Sequence, residues 1–173
     1  RAARSGSRNV TPSACKATIV GSASFVRVLI IAYDGPRGRK EYRVLARILV
    51  VEDNALNIKL FCDLLSAHGH QAEAVTDSRV ALDTARTFGP DLIITDIQLP
   101  HISGLELICQ FRADERLRDV PIMAVTAYAA SGDDERIRSA GAQAYISKPI
   151  SVLRFVDEVT ALLEPRAEVV ASR

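Results

Sequence analysis

The chain has 173 residues, 48% of them apolar, and 22 Lys/Arg against 21 Asp/Glu give a formal net charge of +1, which suits one α/β domain with an appendage. That balance hides an asymmetry: residues 1–47 hold ten Lys/Arg and two acids, whereas residues 48–173 hold twelve and nineteen, and a mildly acidic body lacks the clustered cations of a nucleic-acid-binding domain. Cys15, Cys62 and Cys109 have neither CxxC nor Cys/His metal spacing, and no stretch approaches the roughly 18 apolar residues of a membrane span, so the sequence predicts reduced, mostly buried thiols, no zinc site, no membrane contact and a cytoplasmic location.

Residues 1–46 show no sustained period. Phe25 to Tyr33 has strand character and Asp34-Gly35-Pro36-Arg37-Gly38 is strong turn chemistry, but the segment as a whole reads as a basic, disordered N-terminal extension. From residue 47 to 164 short apolar runs alternate with helical stretches. Ile48-Leu49-Val50-Val51 is a buried strand closed by Glu52-Asp53-Asn54. Leu56, Leu60, Phe61, Leu64 and Leu65 follow at helical spacing until Gly69. Ala72, Ala74 and Val75 make a weaker strand. Ser78 is the expected N-cap of a helix burying Val80, Leu82, Ala85 and Phe88, with Gly89-Pro90 as its stop.

The third strand is Leu92-Ile93-Ile94, ending at Thr95-Asp96. A helix starts at Ser103 or Gly104 with Leu105, Ile108 and Phe111 inward, and Pro121 to Thr126 is the fourth strand. The helix from about Ser131 to Ala140 is charged nearly throughout and is expected to be barely buried, with acids early and Arg late as the macrodipole prefers. Gln143 to Ser147 is the fifth strand. Ser151 caps a last helix with Val152, Phe155, Val156, Val159, Leu162 and Leu163 at helical spacing. Only residues 165–173 follow as a short tail, so no DNA-binding output domain is expected within the chain.

Strict alternation with short connections implies a parallel sheet covered on both faces. The expected fold is a three-layer αβα, flavodoxin-like, doubly wound five-stranded parallel sheet of order 2-1-3-4-5, which sets strands one and three side by side at the switch point. Glu52 and Asp53 would then lie beside Asp96. Taken alone, Asp96 could coordinate a metal, attack a phosphoryl group or cap a turn. Three converging carboxylates repel one another unless a cation sits among them, and oxygen donors suit Mg2+. Thr126 and Lys148 end the fourth and fifth strands, adding a hydroxyl and an ammonium. The set suits placement of a phosphoryl group on a carboxylate.

Glu52-Asp53-Asn54, Asp96 with Pro100 and Gly104 downstream, Ala124-Val125-Thr126-Ala127 and Ser147-Lys148-Pro149 resemble the receiver domain of two-component response regulators, the CheY-like fold. The intervals also match: 43 residues from Asp53 to Asp96, 30 to Thr126 and 22 to Lys148. Longer strings around Asp96, Ser103, Asp133 and Tyr145 are similar to single-domain cell-division response regulators. The resemblance implies that Asp96 accepts a phosphoryl group from a sensor histidine kinase or histidine phosphotransferase. It further implies that Glu52, Asp53, Asp96 and the Gln98 backbone carbonyl hold Mg2+, and that Thr126 and Lys148 bind phosphoryl oxygens.

By the same resemblance, Tyr145 is the switch aromatic that follows Thr126, Lys148-Pro149 is the site of a cis peptide, and Gln98 and Tyr128 flank the phosphoryl group. The fourth and fifth helices become the surface for a downstream protein partner. Leu56, Lys59 and Phe61 are a second docking candidate, against which stand core packing and ordinary solvated charge. The expectation is a phosphoacceptor signalling protein, not an enzyme in the ordinary sense. The rivals are a Mg2+-dependent phosphatase or phosphotransferase, whose usual second acid two residues after the nucleophile is here Gln98, and a nucleotide or flavin site, for which neither GxGxxG nor GxxxxGK[ST] is present.

Overall fold

The computed structural model describes residues 17–19, 29–34, 40–127 and 133–163. Its elements run β1 (Ala17–Ile19), β2 (Leu29–Asp34), β3 (Lys40–Leu45), β4 (Arg47–Val51), α1 (Ala55–Ala67), β5 (Gln71–Val75), a 3-10 turn (Ser78–Val80), α2 (Ala81–Phe88), β6 (Leu92–Asp96), α3 (Gly104–Ala113), β7 (Ile122–Thr126), α4 (Asp133–Ala140), β8 (Ala144–Ser147) and α5 (Val152–Leu163). Five strands form a parallel sheet in the order β5-β4-β6-β7-β8. This is the 2-1-3-4-5 order expected of the alternation.

Period-two alternation divides the core. Leu49, Val51, Ile93, Ile122 and Ala124 face one side, where they meet Ala81 and Ala85 of α2, Leu107, Ile108 and Phe111 of α3, and Ile137 of α4. Ile48, Val50, Leu92, Ile94, Met123 and Val125 face the other, against Phe61 and Leu65 of α1 and Phe155, Val159 and Leu163 of α5. The Phe61 and Phe155 rings stack with centroids 5.0 Å apart, which fastens α1 to α5. Strands buried on both faces must be apolar throughout, and β6 and β7 are buried at every position.

Several side chains depart from the expected pattern. Leu56 is 79% exposed, Val152 45% and Leu153 78%; each lies in the first turn of its helix, ahead of the first buried side chains of α1 and α5, Phe61 and Phe155. Val80 is half exposed because it belongs to the 3-10 turn and not to α2. Asp77, not Ser78, caps that turn, accepting from the Arg79 N–H, while Ser78 is buried. Cys62 is half-buried but Cys109 is exposed, so the expectation of buried thiols fails at Cys109. Cys15, Tyr128 and Ser131 lie outside the described residues.

Within the N-terminal segment, β1, β2 and β3 pair as a three-stranded antiparallel sheet. β2 and β3 flank the turn-forming string at 34–38, so the strand character near Tyr33 is realised in β2. Backbone pairing in this segment thus coexists with a sequence that carries no long-range period.

One close approach positions the loop after β6. Gly104 N–H donates to the Ile97 carbonyl at 3.0 Å, and a Cβ on Gly104 would lie 2.0 Å from the Asp96 carbonyl oxygen. Ser103 caps α3 by accepting from the Glu106 N–H. Only glycine allows the helix to start this close to the strand end. Gly104→Ala is therefore expected to lower stability by at least about 2 kcal/mol, the scale of forced overpacking, read as a fall in melting temperature; an unchanged melting temperature would show that the loop can yield.

Candidate functional site

The carboxyl ends of β4, β6, β7 and β8 meet at one edge of the sheet. β4 pairs with β6 in parallel, with Val51 opposite Thr95, so the residues just past each strand are neighbours. Glu52 is 1% exposed and Asp96 3%, while Asp53 is open to solvent. One carboxylate oxygen from each of the three lies within 4.8 Å of the others. This convergence is the arrangement that the switch-point argument predicts.

Lys148 spans the group. Its Nζ donates to Asp96 Oδ2 at 2.6 Å and to Glu52 Oε2 at 3.1 Å. Burial is the largest influence on its pKa and pulls it down, but the hydrogen bonds and charges of Asp96 and Glu52 together outweigh it and raise the value above the ordinary 10.5. Lys148 is therefore a fixed cation at neutral pH. Burial raises the Glu52 pKa above 4.5; the Asn57 side-chain hydrogen bond opposes this and the Asp96 charge adds to it. The second Glu52 oxygen accepts from the Asn54 N–H at 3.2 Å.

The backbone completes the arrangement. Gln98 N–H donates to Asp96 Oδ1 at 3.0 Å, so both Asp96 oxygens are held, one by an amide and one by an ammonium. Thr126 ends β7 and is 3% exposed; its carbonyl accepts from the Lys148 N–H at 2.7 Å, which ties the ends of β7 and β8 together. The Lys148–Pro149 peptide is cis. Tyr145, on β8, is half-buried against the α2–α3–α4 side of the core, with the Arg138 guanidinium 5.9 Å from its ring centroid.

Glu52, Asp53, Asp96, Thr126 and Lys148 thus come to one edge, with Gln98 on the loop just after Asp96. Leu56 and Phe61 do not share a surface, since Phe61 is core, and Lys59 pairs with Asp63 one helical turn on. Ser78 is the residue whose role the sequence pattern does not reveal. Its hydroxyl touches the loop after Asp96, accepting from Ile102 N–H and donating to the Pro100 carbonyl. Three carboxylates and one ammonium leave an excess of two negative charges, and an all-oxygen donor set suits a hard divalent cation.

Residues 48–160 match the response regulator receiver domain family. The chain is 52% identical over 116 residues to the polar-differentiation response regulator DivK of Brucella ovis, covering 67% of this chain and 94% of that protein. Among solved structures, the receiver domain of sensor histidine kinase PA1611 from Pseudomonas aeruginosa PAO1, described with a magnesium ion coordinated in its active site cleft, is 31% identical with a TM-score of 0.65, covering 70% of this chain and 99% of that one. The chemotaxis protein CheY4 of Vibrio cholerae, at 24% identity and a TM-score of 0.66 over 69% of this chain and 99% of that one, shares the fold.

The raised Glu52 pKa fixes the sign of a metal effect. A carboxyl that binds its proton more tightly when folded contributes stability below its unfolded pKa, and that contribution is lost as pH rises through the folded value. A divalent cation offsets the cost of holding Glu52 ionised. At neutral pH, Mg2+ at about a hundredfold excess over its Kd should add about 2.7 kcal/mol of stability. The gain should shrink as pH falls into the raised titration range of Glu52. Thermal melting with Mg2+ against Na+ at equal ionic strength reads this, and Asp53→Asn should abolish most of it.

Proposed function

The chain belongs to the response regulator receiver domain family, and on that premise we propose that Asp96 is the phosphoacceptor of a phosphorelay, charged by a sensor histidine kinase or a histidine phosphotransferase. A carboxylate oxygen of Asp96 forms a bond to phosphorus as the bond from phosphorus to the donor imidazole nitrogen breaks. The electron pair stays on that nitrogen. Mg2+ held by Glu52, Asp53, Asp96 and the Gln98 carbonyl would neutralise the phosphoryl oxygens. Lys148 exchanges part of its contact with Asp96 for a phosphoryl oxygen, and the Thr126 hydroxyl binds another. The observation that carries the reading is the Lys148 ammonium held between buried Asp96 and Glu52.

Phosphorylation adds up to about two negative charges at the end of β6. Thr126 and Lys148 link that event to β7 and β8, and Tyr145 lies on β8 beside Arg138 of α4. Of the α4 side chains described, only Ile137 is buried. A helix with so little burial is the element easiest to shift. We assign the α4 and α5 surface as the face that engages a downstream protein, with Tyr145 as the aromatic that follows Thr126. The similarity to a polar-differentiation regulator supports a role in cell division, with cell-cycle sensor kinases among the partners.

Residues 47–164 are the proposed signalling unit and residues 1–46 an extension to it. The enzyme reading is weaker because position 98 offers an exposed glutamine where a second acid would stand. The test is intact mass after incubation with a small phosphodonor and Mg2+. Wild type should gain one phosphoryl group, Asp96→Asn none, and a chain beginning at Ala46 the same single group as wild type. Equal labelling of Asp96→Asn would refute the acceptor, and repeated turnover of a dedicated substrate would favour the enzyme.

A further inference from the structure

The loop from Ile97 to Ser103 carries an unusual turn. Ile102 N–H donates to the Pro100 carbonyl at 2.9 Å, closing a turn over a single residue, and that residue, His101, has φ of 70°. A positive φ of this size with a hydrogen bond across one residue marks the rare, strained form of γ-turn, which a residue with a Cβ holds only where its surroundings impose it. Something outside the turn must hold it.

Ser78 does so. It lies on the 3-10 turn ahead of α2, far from the loop in sequence, and is 1% exposed. Its hydroxyl donates to the Pro100 carbonyl and accepts from the Ile102 N–H at 3.1 Å. One buried side chain therefore holds both ends of the strained turn, and its own donor and acceptor are both used. Upstream, the loop is held by the Gln98 N–H on Asp96 Oδ1, and at its far end by Gly104 on Ile97. Between the Gln98 anchor and the Pro100 carbonyl that Ser78 holds lies only Leu99.

We infer that Ser78 is a positioning residue for the phosphoacceptor site: its hydroxyl fixes the loop that carries Gln98, whose N–H holds Asp96 Oδ1, and so keeps Asp96 placed beside Glu52 and Asp53. The inference rests on the proposed metal-assisted reading and deepens it. Asp77 caps the 3-10 turn and no side chain caps α2, so the Ser78 hydroxyl has no role in starting that helix. Its partners lie in the acceptor loop instead.

The experiment compares wild type, Ser78→Ala and Ser78→Thr in the full chain by calorimetric titration with Mg2+, by Mg2+-free melting temperature, and by amide hydrogen exchange at Ile102. Ser78→Ala should weaken Mg2+ binding severalfold with the Mg2+-free melting temperature shifted by only a few degrees. Ser78→Thr, which keeps the hydroxyl, should recover most of the affinity. Adding His101→Gly to Ser78→Ala should also recover part of it, since glycine accepts the positive φ without strain. Equal Mg2+ affinity in wild type and Ser78→Ala would overturn the inference, as would a loss shared in full by Ser78→Thr. Rapid exchange of the Ile102 amide in wild type would overturn it even if Ser78→Ala does not fold. Absence of Mg2+ binding by wild type, with Ile102 protected, would instead remove the proposed function and leave the clamp standing.

Discussion

Everything at the carboxyl edge of the sheet depends on one ammonium placed between two buried carboxylates. Lys148 contacts Asp96 at 2.6 Å and Glu52 at 3.1 Å, and both acids are almost wholly removed from water. Burying such groups without a partner costs several kcal/mol each. Lys148 repays part of that cost, and with Asp53 as the third carboxylate of the cluster two negative charges remain in excess. The site is thus short of two positive charges, which a divalent cation would supply under the proposed reading.

The fold exists to hold that deficit in place. Strands β4, β6, β7 and β8 have cores of apolar residues, so their ends arrive at the edge in fixed register, and the Lys148 N–H on the Thr126 carbonyl joins the last two ends. Gly104 brings α3 against the Asp96 carbonyl where any side chain would collide. The first turns of α1 and α5 follow the ends of β4 and β8 and leave Leu56 and Leu153 exposed. A rigid sheet and loosely covered helix ends therefore meet at the same edge.

Much of this was legible in the sequence because parallel strands covered on both faces must be continuous apolar runs. Ile48 to Val51 and Leu92 to Ile94 announced themselves, and strict alternation then fixed the 2-1-3-4-5 order and the meeting of Glu52, Asp53 and Asp96. Periodicity failed at helix starts: Leu56 and Val152 fit the apolar stripe, yet both are exposed, and burial begins only at Phe61 and Phe155. It also pointed to Ser78 as a cap, whereas the adjacent Asp77, a residue of equal capping aptitude, caps the 3-10 turn. The antiparallel pairing of β1 to β3 left no long-range period to find. That Lys148 would reach Glu52 as well as Asp96 depends on side-chain geometry that spacing does not encode.

Under the proposed function, charge added at Asp96 is read out through β7 and β8 on the α4 surface. Hydrogen exchange measured on the phosphorylated and unphosphorylated protein tests it most directly. Protection should change on α4 (133–140), β8 (144–147) and the first turn of α5, while α1 and α2 keep their rates. Unchanged exchange over 133–147 in a fully phosphorylated sample, or a change spread evenly over all five helices, would contradict it.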